Sequence, residues 1–422
     1  MIRLPWANTT EGRIAAPSCV IAVFDFLSHD HVHLPFNEAY LRLLRAGYPS
    51  DRIVFRSTPG HVERLAPRLA DLANITFEPC EPFTPPLGLS HHNPLAGRWA
   101  ARQCRNLIAR ETGGRPVRMT ALLGFNASLL AVLGHEWPRV GAGPLHMILH
   151  SHLGEAVGWR SRNPFIRAGD LISQLERPLP LSVLIVVLEL GMNGAIGELS
   201  PALSRSIITL EHPILPSEWA ESSSVIEAGK VKIGFVGHAR RDKGFGTFVE
   251  LATGCRRDDI EFHAIGHASP ETDQLDTSAL VRKPSREALP REDYLDALRG
   301  IDLVCLPLHS RAYNLTGSGT VSDAIAALKP LVLFRNRTME AIFARYGPIG
   351  CLAEDKDDLF ALVRELDPVK FARERASWID NLRMVRGARR PEVLAKSYAA
   401  SIGPSDEPRL EGRPGTRSMQ SR

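Results

Sequence analysis

The feature of the sequence that most limits its fold is an alternation of short apolar runs with longer amphipathic stretches. The apolar run "CVIAVFDFL" at 19–27 precedes the helical pattern "NEAYLRLLRAG", and "DRIVFRST" at 51–58 precedes "GHVERLAPRLADLA". Further strand candidates are "ITFEPCEPF", "RMTALLGF", "LHMILHSHL" and "LSVLIVVLEL". Strands that alternate with helices form parallel sheets, because each helix carries the chain back across the sheet. The first half therefore predicts a parallel α/β domain.

The same alternation begins again in the second half of the chain. Here "KVKIGFVGHA" precedes the helical pattern "GFGTFVELATGC", and "IEFHAIGHA", "REDYLDALRG" and "IDLVCLPL" follow. A stretch rich in Pro, Ser and Gly separates the halves, and 422 residues suffice for two domains of ordinary size. We therefore predict two Rossmann-like, doubly wound α/β lobes that face a central cleft. The predicted units are an N-terminal lobe (1–213), a linker (214–230), a C-terminal lobe with C-terminal helices (231–402) and a disordered tail (403–422).

Charge and cysteine content narrow the class of partner and the compartment. Lys and Arg number 51 against 47 Asp and Glu, a formal charge of +4 without a long basic block, so nucleic acid is not an expected partner. The six cysteines are scattered without a CxxC pair, which predicts neither a zinc site nor a disulfide framework and favours a reducing cytoplasm. A peripheral contact with the inner membrane surface stays open.

Two features argue against export and against a membrane span. The N-terminal stretch "MIRLPWANTTEGRIAAPS" lacks an uninterrupted apolar core of signal-peptide length. The most apolar run, "LPLSVLIVVLELGMNGAIG", contains Glu189 and Asn193 and is too short before Glu189 to span a bilayer. We expect this run to form a buried strand followed by a turn.

The turn after the first strand of the second lobe carries three cations. In "GFVGHARRDKGFGTF" the strand runs into Gly237, a polar loop holds Arg240, Arg241 and Lys243, and a helix starts at Gly244. Cations beside a helix N-terminus bind a diphosphate through charge-assisted hydrogen bonds and stabilise charge that develops on a leaving group. The alternative is a solvated loop.

A second anion site is indicated by "YNLTGSGTVSDAIAALKP" at 313–330, in which Ser318 and Gly319 precede a short helical pattern. The first N–H groups of a helix have no partner inside it, so a small residue at this position leaves room for a phosphate. The alternative is an ordinary capped helix.

The order of these segments resembles the C-terminal lobe of retaining GT-B glycosyltransferases of the group-1, family-four-like class, which use sugar nucleotides. The family's G-R-x-x-x-x-K-G loop is matched by "GHARRDKG" at 237–244, with His238 in place of the arginine. Its D-x-x-x-x-P strand end is similar to "DLVCLP" at 302–307. Its E-A-x-x-x-G-x-P helix is similar to "DAIAALKP", where Asp323 replaces the glutamate and Leu328 the glycine. The order and spacing of the three motifs carry the resemblance, because each motif alone is weak.

The chain departs from the family's paired acidic motif. Leu315 stands where the family has its first glutamate, and a tyrosine followed by Ser-Gly, in "YNLTGSG", replaces that motif. The resemblance implies that Tyr313 contacts the donor, that backbone N–H groups of Ser318–Thr320 take its β-phosphate, and that Asp323 reaches the ribose. Asp323 has a simpler alternative role as a partner of the helix dipole.

By this resemblance, the protein is expected to transfer a hexose from a nucleotide-diphosphate donor to a glycan or lipid-linked acceptor hydroxyl, with retention, in polysaccharide or glycoconjugate synthesis. Arg241 and Lys243 would neutralise the departing diphosphate without a metal, and no obvious DxD motif sits at the predicted cleft. The nucleotide sugar is a co-substrate, and no cofactor is expected. The predicted donor-binding residues are Gly237, His238, Arg240, Tyr313, Ser318, Gly319, Thr320 and Asp323.

The first lobe offers histidines for the acceptor side. The loop in "FDFLSHDHVHLPFNEAYLRLL" holds His29, Asp30, His31 and His33, for which a metal site, a polar active-site rim and plain surface histidines are all open. A histidine that leaves a strand end into the cleft can exchange a proton or bind a sugar hydroxyl, as in "LHMILHSHLGEA". We predict His152 as the catalytic residue of this lobe, with a structural role as the alternative.

Two other functions stay open. A GT-B-shaped nucleotide-sugar epimerase would share the two lobes but would need carboxylates for chemistry at the sugar. A non-catalytic GT-B-like subunit would bind a nucleotide or glycan in a polysaccharide-assembly complex, and the departures at His238 and Leu315 agree with it. Lys243 favours an enzyme, because a scaffold needs no cation for a leaving group.

Overall fold

Two parallel sheets, each flanked by helices, make up the part of the chain that the computed structural model describes. That part comprises residues 19–28, 30, 32–80, 94–112, 116–141, 143–150, 163, 170–199, 201, 206–215, 230–308, 313 and 315–402. One sheet has seven strands and the other has five. This architecture confirms the predicted fold class of two doubly wound α/β lobes.

The first lobe holds the seven-stranded sheet. Its strands are β1 (Val20–Asp25), β2 (Arg52–Ser57), β3 (Ile75–Pro79), β4 (Val117–Leu122), β5 (Leu145–Leu149), β6 (Val183–Val187) and β7 (Ile207–Thr209). They pair in the order β3-β2-β1-β4-β5-β6-β7, and all neighbours are parallel. Its helices are α1 (Leu34–Gly47), α2 (Pro59–Leu65), α3 (Pro94–Thr112), α4 (Ala127–Leu129, continued by a π-helical turn over Leu130–Gly134), α5 (Leu171–Leu175) and α6 (Met192–Leu199).

The second lobe holds the five-stranded sheet. Its strands are β8 (Val231–Val236), β9 (Ile260–Ile265), β10 (Leu303–Leu306), β11 (Leu331–Phe334) and β12 (Gly350–Ala353), paired in the parallel order β12-β11-β10-β8-β9. Its helices are α7 (Phe245–Gly254), α8 (Arg291–Arg299), α9 (Gly319–Ala326), α10 (Arg337–Tyr346), α11 (Lys356–Arg364) and α12 (Pro368–Ala388). A last helix, α13, spans Pro391–Ile402. Because Val236 at the end of β8 pairs with Ile265 at the end of β9, the loops after these two strands start side by side.

The most apolar run of the chain forms a buried strand, as the sequence predicts. β6 is followed by a turn and then by α6, a helix that the sequence pattern did not indicate. β7 was also missed, since a strand of three residues is too short to show a periodic pattern. Within the described ranges, no helix combines the length and the apolar composition that a membrane span needs.

The C-terminal helix departs from the predicted domain boundary. The sequence places 391–402 with the second lobe, but α13 packs along α1 of the first lobe. The hydroxyl of Tyr398 lies 2.9 Å from that of Tyr40 and 2.6 Å from Nδ1 of His146, which is on β5. Leu394 joins the same buried core. The amphipathic pattern indicates a helix but not the surface against which the helix packs, so the assignment of α13 to the second lobe is corrected.

A buried ion pair marks the point where the chain returns to the first lobe. Arg389, at the end of α12, donates through Nη1 and Nη2 to the two oxygens of Glu189 at 3.1 and 2.7 Å, and through Nε to Glu211 at 3.3 Å. Burial opposes the charge on Arg389, but the two carboxylates outweigh it and raise the pKa of the guanidinium. Tyr346 of the second lobe also donates to Glu211 at 3.0 Å. The return point is therefore tied to both lobes.

Tyr398→Phe should destabilise the protein by about 1–3 kcal/mol. The variant lacks the hydroxyl, so buried polar atoms of Tyr40 and His146 lose a hydrogen-bond partner. Urea unfolding at pH 7.5, followed by circular dichroism, measures the change. Ser401→Ala is a control on the same helix: the Ser401 hydroxyl donates to a carbonyl of α13, and its loss should cost less than about 0.5 kcal/mol. A parental midpoint for Tyr398→Phe would contradict a stabilising role for this cluster.

Candidate functional site

A glycine holds the turn after β8 against the start of α9. Gly237 has a φ of 91°, in the left-handed region that favours glycine. A Cβ on Gly237 would lie 2.5 Å from Cγ2 of Thr320, so a larger residue does not fit without a shift. The cation loop, 237–244, therefore meets the segment at Ser318 at the carboxyl end of the second sheet.

Lys243 is the cation of this loop that lies inside the site. Its Nζ would be 3.6 Å from a Cβ at Gly237, and its side chain is half-buried rather than solvated. Burial, followed by the charge of Arg240, lowers the pKa of Lys243 to about 8, while Asp242 and Asp323 oppose the shift. The ammonium group thus occupies a partly dehydrated position in which an added anion would be stabilising.

The two arginines of the cation loop differ in their surroundings: Arg240 is partly buried and paired, whereas Arg241 is exposed. Arg240 donates through Nε to Oδ1 of Asp242 at 2.9 Å and is hydrogen-bonded to Tyr313. Burial opposes its charge, but the pairing with Asp242 and Tyr313 outweighs burial and raises the pKa of Arg240. Arg241 is exposed, and its guanidinium has no ion-pair partner among the described residues. The structure thus brings Arg240 next to Lys243, and the catalytic role of Arg241 stays a prediction.

No described side chain caps the N-terminus of α9. Ser318 is the N-cap residue, but its hydroxyl pairs with Oγ1 of Thr320 at 2.9 Å and not with a backbone N–H of the first turn. In contrast, α10, α11 and α12 each have an Asn or Asp cap that accepts such an N–H. A Cβ at Gly319 would meet no atom within 4 Å. The start of α9 therefore leaves both donors and room for an anion.

Asp323 lies one turn into α9 and is held by two side chains of α8. Tyr294 donates its hydroxyl to Oδ2 at 2.8 Å, and Arg291 donates through Nη2 to Oδ1 at 3.2 Å. The carboxylate is therefore held in place by two donors from the neighbouring helix. The ribose contact and the dipole role predicted for Asp323 both stay predictions.

A cavity of about 200 Å³ lies between the two lobes beside these residues. The residues that matter most for its chemistry are His33, Phe36, His150 and His212 of the first lobe, and Ser322 and Asp323 of the second. The hydroxyl of Ser322 is buried and has no hydrogen-bond partner among the described residues. Because a buried hydroxyl without a partner is destabilising, this wall is suited to a polar ligand.

Three histidines and a phenylalanine form the first-lobe wall of the cavity. The rings of His33 and His150 stack with centroids 3.9 Å apart, and Phe36 packs edge-on against His150 at 4.3 Å and His212 at 5.1 Å. Burial, followed by the charge of Arg389, lowers the pKa of His212 to about 3, so its ring is neutral near pH 7. Aromatic faces and imidazole nitrogens together suit the apolar face and the hydroxyls of a sugar ring.

Two histidines follow β5, His150 and His152, and from the sequence only His152 is predicted as a site residue. His150, directly after β5, lines the cavity, whereas His152 lies outside the described residues and stays a prediction. His29 and His31 also lie outside them. The position of His150 was a usable signal, because the residue after a buried parallel strand lies at the ligand edge of the sheet. Within the described ranges, no group of three His, Cys, Asp or Glu side chains is arranged to hold a metal ion.

Leu315, at the position of the family's first acid, packs away from the cavity. Its side chain is buried in the core cluster of the first lobe that includes Met192 and Ile196 of α6. A Cβ at Gly317 would lie 3.5 Å from Cγ of Glu189, so the chain before α9 passes close to the end of β6. This segment therefore links the lobes instead of contributing a carboxylate.

Searches with the sequence find no matching family model and no similar curated protein. The fold, however, matches solved structures over nearly the whole chain. HepE (Alr3699) of Anabaena, in complex with UDP-glucose, superimposes with a TM-score of 0.61 at 12% identity, over 90% of this chain and 98% of that one. WaaG, a glycosyltransferase involved in lipopolysaccharide biosynthesis, gives 0.60 at 13% identity, over 91% and 99%. An alpha,alpha-trehalose-phosphate synthase (UDP-forming) from Burkholderia vietnamiensis gives 0.60 at 11%, over 91% and 98%. The likeness confirms the predicted GT-B fold.

Gly237→Ala and Gly319→Ala form a pair with opposite expected outcomes. Alanine at 237 combines a left-handed φ with a 2.5 Å approach to Thr320 and should cost roughly 1–3 kcal/mol of stability. Alanine at 319 meets no atom within 4 Å and should change stability by less than about 1 kcal/mol. Urea unfolding at pH 7.5 compares the two variants. Equal midpoints would show that the cation loop and α9 are not in the close contact described above.

Proposed function

We propose that the protein is a retaining glycosyltransferase that moves a hexose from a nucleotide-diphosphate sugar to a glycan or lipid-linked acceptor hydroxyl, in polysaccharide or glycoconjugate synthesis. The observation that supports the proposal most strongly is that Lys243 lies close to the N-terminus of α9, beside the cavity between the lobes. A cation and a helix N-terminus at one point form a site for a diphosphate. The fold is also that of structures solved with UDP and UDP-glucose.

In the proposed complex, the diphosphate lies between Lys243, Arg240 and the first N–H groups of α9 near Gly319. Lys243 makes no ion pair with a described residue, so its charge is available to the ligand. As the bond to the sugar breaks, negative charge grows on the leaving diphosphate. An ammonium group in a partly dehydrated position stabilises that charge more than it stabilises the intact donor, which lowers the barrier.

The sugar and the ribose are proposed to use the cavity and its rim. The unpartnered hydroxyl of Ser322 can bind a hydroxyl of the ligand, and the carboxylate of Asp323 is held in place to accept a second one. His150 stands on the opposite wall, where its ring can bind a sugar hydroxyl. We therefore add His150 to the candidate catalytic residues, beside the prediction for His152.

A larger cavity in the first lobe, of about 810 Å³, is our candidate for the acceptor site. It lies at the carboxyl ends of β1, β2 and β3, against α3. Its walls combine apolar and charged side chains, among them Phe26, Trp99, Leu107, Arg56, Glu78 and Arg110. An aromatic ring beside ion pairs offers a stacking face and hydrogen-bonding groups, which together fit a glycan or the head group of a lipid-linked acceptor.

The outer face of α3 supports a peripheral contact with an anionic membrane surface. Leu95 and Trp99, one turn apart, are 75% and 46% exposed at its N-terminal end. The helix contains four arginines and one glutamate, and Arg102 is exposed without an ion-pair partner among the described residues. Apolar side chains flanked by arginines bind an anionic interface through burial and charge together. This surface adjoins the cavity proposed for the acceptor.

We propose that the reaction needs no metal and no cofactor, and that it takes place in the cytoplasm. Lys243 and Arg240 supply positive charge at the place where a divalent cation would otherwise bind the diphosphate, and the nucleotide sugar is a co-substrate. The six cysteines are all free thiols, which suits a reducing compartment.

A non-catalytic nucleotide- or glycan-binding subunit is the second candidate function. Leu315 favours it, because burial of this residue in the first lobe leaves the site without the acid of the resembled motif. Incubation with radiolabelled UDP-, GDP-, ADP- and dTDP-sugars separates the candidates. Transfer or hydrolysis of one donor supports the transferase, binding without turnover identifies the subunit, and conversion of the sugar identifies an epimerase. Absence of binding in the whole panel would overturn the proposal.

Lys243→Ala should lower kcat/KM for the donor by roughly 10²–10³, the loss typical of one contact to developing charge. Because the pKa of Lys243 is lowered to about 8, kcat/KM of the parent should fall as the pH rises through about 8, where the ammonium loses its proton. Lys243→Arg should remove this alkaline decline, since a guanidinium keeps its proton.

Lys230→Ala is the control for this series. Lys230 is an exposed lysine of the same lobe, paired with Glu261 at 3.0 Å, and its loss should leave the pH profile unchanged. Parental kcat/KM in Lys243→Ala would remove the cation loop from the mechanism.

From the outer face of α3 we predict binding to anionic vesicles. The parent should cosediment with vesicles of phosphatidylglycerol and phosphatidylcholine but not with phosphatidylcholine alone, because both apolar burial and charge contribute. The double variant Leu95→Ser/Trp99→Ser should lose most of this binding. Leu181→Ser is the matched control, since Leu181 is 67% exposed at the opposite, amino end of the same sheet. Equal losses in both variants would rule out α3 as the contact surface.

A further inference from the structure

Two histidines face each other at the carboxyl ends of β8 and β9. The rings of His238 and His267 stack with centroids 3.9 Å apart and planes 24° from parallel. Each histidine follows a glycine in the same local sequence, "VGHA" at 236–239 and "IGHA" at 265–268. A Cβ on Gly266 would lie only 2.1 Å from the carbonyl oxygen of Gly237, so the two turns approach as closely as glycine permits.

The backbone fixes this histidine pair. Ala239 donates its N–H to the carbonyl of His267 at 2.8 Å, and Ser269 donates to the carbonyl of Ala239 at 3.0 Å. Ser285 donates to the carbonyl of Gly266 at 2.8 Å, which anchors the second turn to the loop beyond it. The rings are therefore positioned by a small parallel ladder that continues past both strands, and not by a chance surface contact.

The charged groups around His238 are mostly cations. Lys243 and Arg240 come from its own loop, and His267 from the neighbouring turn. Among the described residues, His238 makes neither a hydrogen bond nor an ion pair, although its side chain is half-buried. Burial, followed by His267, Arg240 and Lys243, lowers the pKa of His238 to about 4, and Asp242 opposes this shift.

The carboxylates close to this group are already engaged. Asp242 accepts from Arg240, and Asp323 on α9 accepts from Tyr294 and Arg291 of α8. Glu271, on the turn after β9, accepts the backbone N–H of Arg241 at 2.9 Å. No described carboxylate contacts His238 to balance an added proton. An anionic ligand would be the first group to do so.

We propose that the His238–His267 pair takes up one proton when the diphosphate of the donor binds, so that donor affinity rises as the pH falls. The inference rests on the proposed function, because it needs a diphosphate beside Lys243 and the start of α9. One proton is expected for the pair, not two, since two imidazolium rings stacked at 3.9 Å would repel each other. The bound diphosphate supplies negative charge beside the pair.

The direction of the pH effect follows from linkage. Binding raises the proton affinity of the pair, so protonation in turn favours binding below the pKa of the bound state, and this gain is lost as the pH rises through that value. The dissociation constant should fall several-fold between pH 7.5 and pH 5.5, with a limit of about tenfold per pH unit for one proton. Lys243 adds no uptake at pH 5.5, because its pKa of about 8 leaves it fully charged there.

Calorimetry with a sugar nucleotide measures this proton directly. UDP-glucose is the first probe, followed by the other sugar nucleotides of the panel, because a diphosphate esterified at both ends has no ionisation of its own near neutral pH. At pH 5.5, the binding enthalpy in two buffers of different ionisation enthalpy gives the number of protons taken up. We expect measurable uptake of up to about one proton by the parent.

Three variants locate the proton. His238→Arg should bind the donor without proton uptake and without the pH dependence, because a guanidinium is already charged. His267→Gln should move the uptake to higher pH, since it removes a group that lowers the pKa of His238. His263→Gln is the control, because His263 lies on β9 but pairs with Glu261 at 3.4 Å.

The outcomes separate this inference from the proposed function. Donor binding with no proton uptake at pH 5.5, or equal uptake in the parent and in His238→Arg, would overturn the role of the histidine pair and leave the transferase proposal standing. Absence of binding by every sugar nucleotide, in the parent and in all variants, would overturn both.

Discussion

The relative placement of the two lobes depends on one buried guanidinium. Arg389 ends the long helix of the second lobe and binds Glu189 of the first lobe through two hydrogen bonds, while Glu211, which precedes the linker, accepts a third from Nε. Burial raises the pKa of Glu189, and Arg389 opposes that rise, so each charge is stable inside the protein because the other is present. Removal of one partner from such a pair typically costs about 3–5 kcal/mol. Because the cleft is the space between the lobes, its shape depends on this contact.

The same region positions the start of α9. Gly317 passes close to Glu189, and Leu315 is buried among first-lobe residues, so the segment before the helix is held by the lobe opposite to its own. Within the second lobe, the absence of a side chain at Gly237 lets the cation loop pack closely against Thr320. The proposed anion site is thus built from second-lobe backbone, but contacts with both lobes determine where that backbone lies. A change in lobe placement would therefore alter the site itself.

The sequence was sufficient for the two sheets, because buried strands alternate with helices along the chain. The approach of the cation loop to the 318–320 segment was implied by the resemblance and not by the strand pattern. Leu328 shows how far the resemblance reaches: it replaces the family's glycine, and the structure places it at a φ of 55°, in the left-handed region that glycine favours. The group of three histidines on the first-lobe wall of the cavity could not be predicted from the sequence. His33, His150 and His212 are far apart in sequence, and only the closing of the lobe brings their rings together.

Two of the departures from the resembled motifs, His238 and Leu315, have opposite effects on charge. At neutral pH, His238 removes one fixed positive charge from the proposed donor site and Leu315 removes one fixed negative charge, so the proposed site keeps the positive charge of Lys243 beside the Arg240–Asp242 ion pair. A site for a leaving diphosphate needs such a positive charge, because it stabilises negative charge that appears during the reaction. In the proposed complex, His238 in place of the arginine is a group whose charge responds to the bound diphosphate.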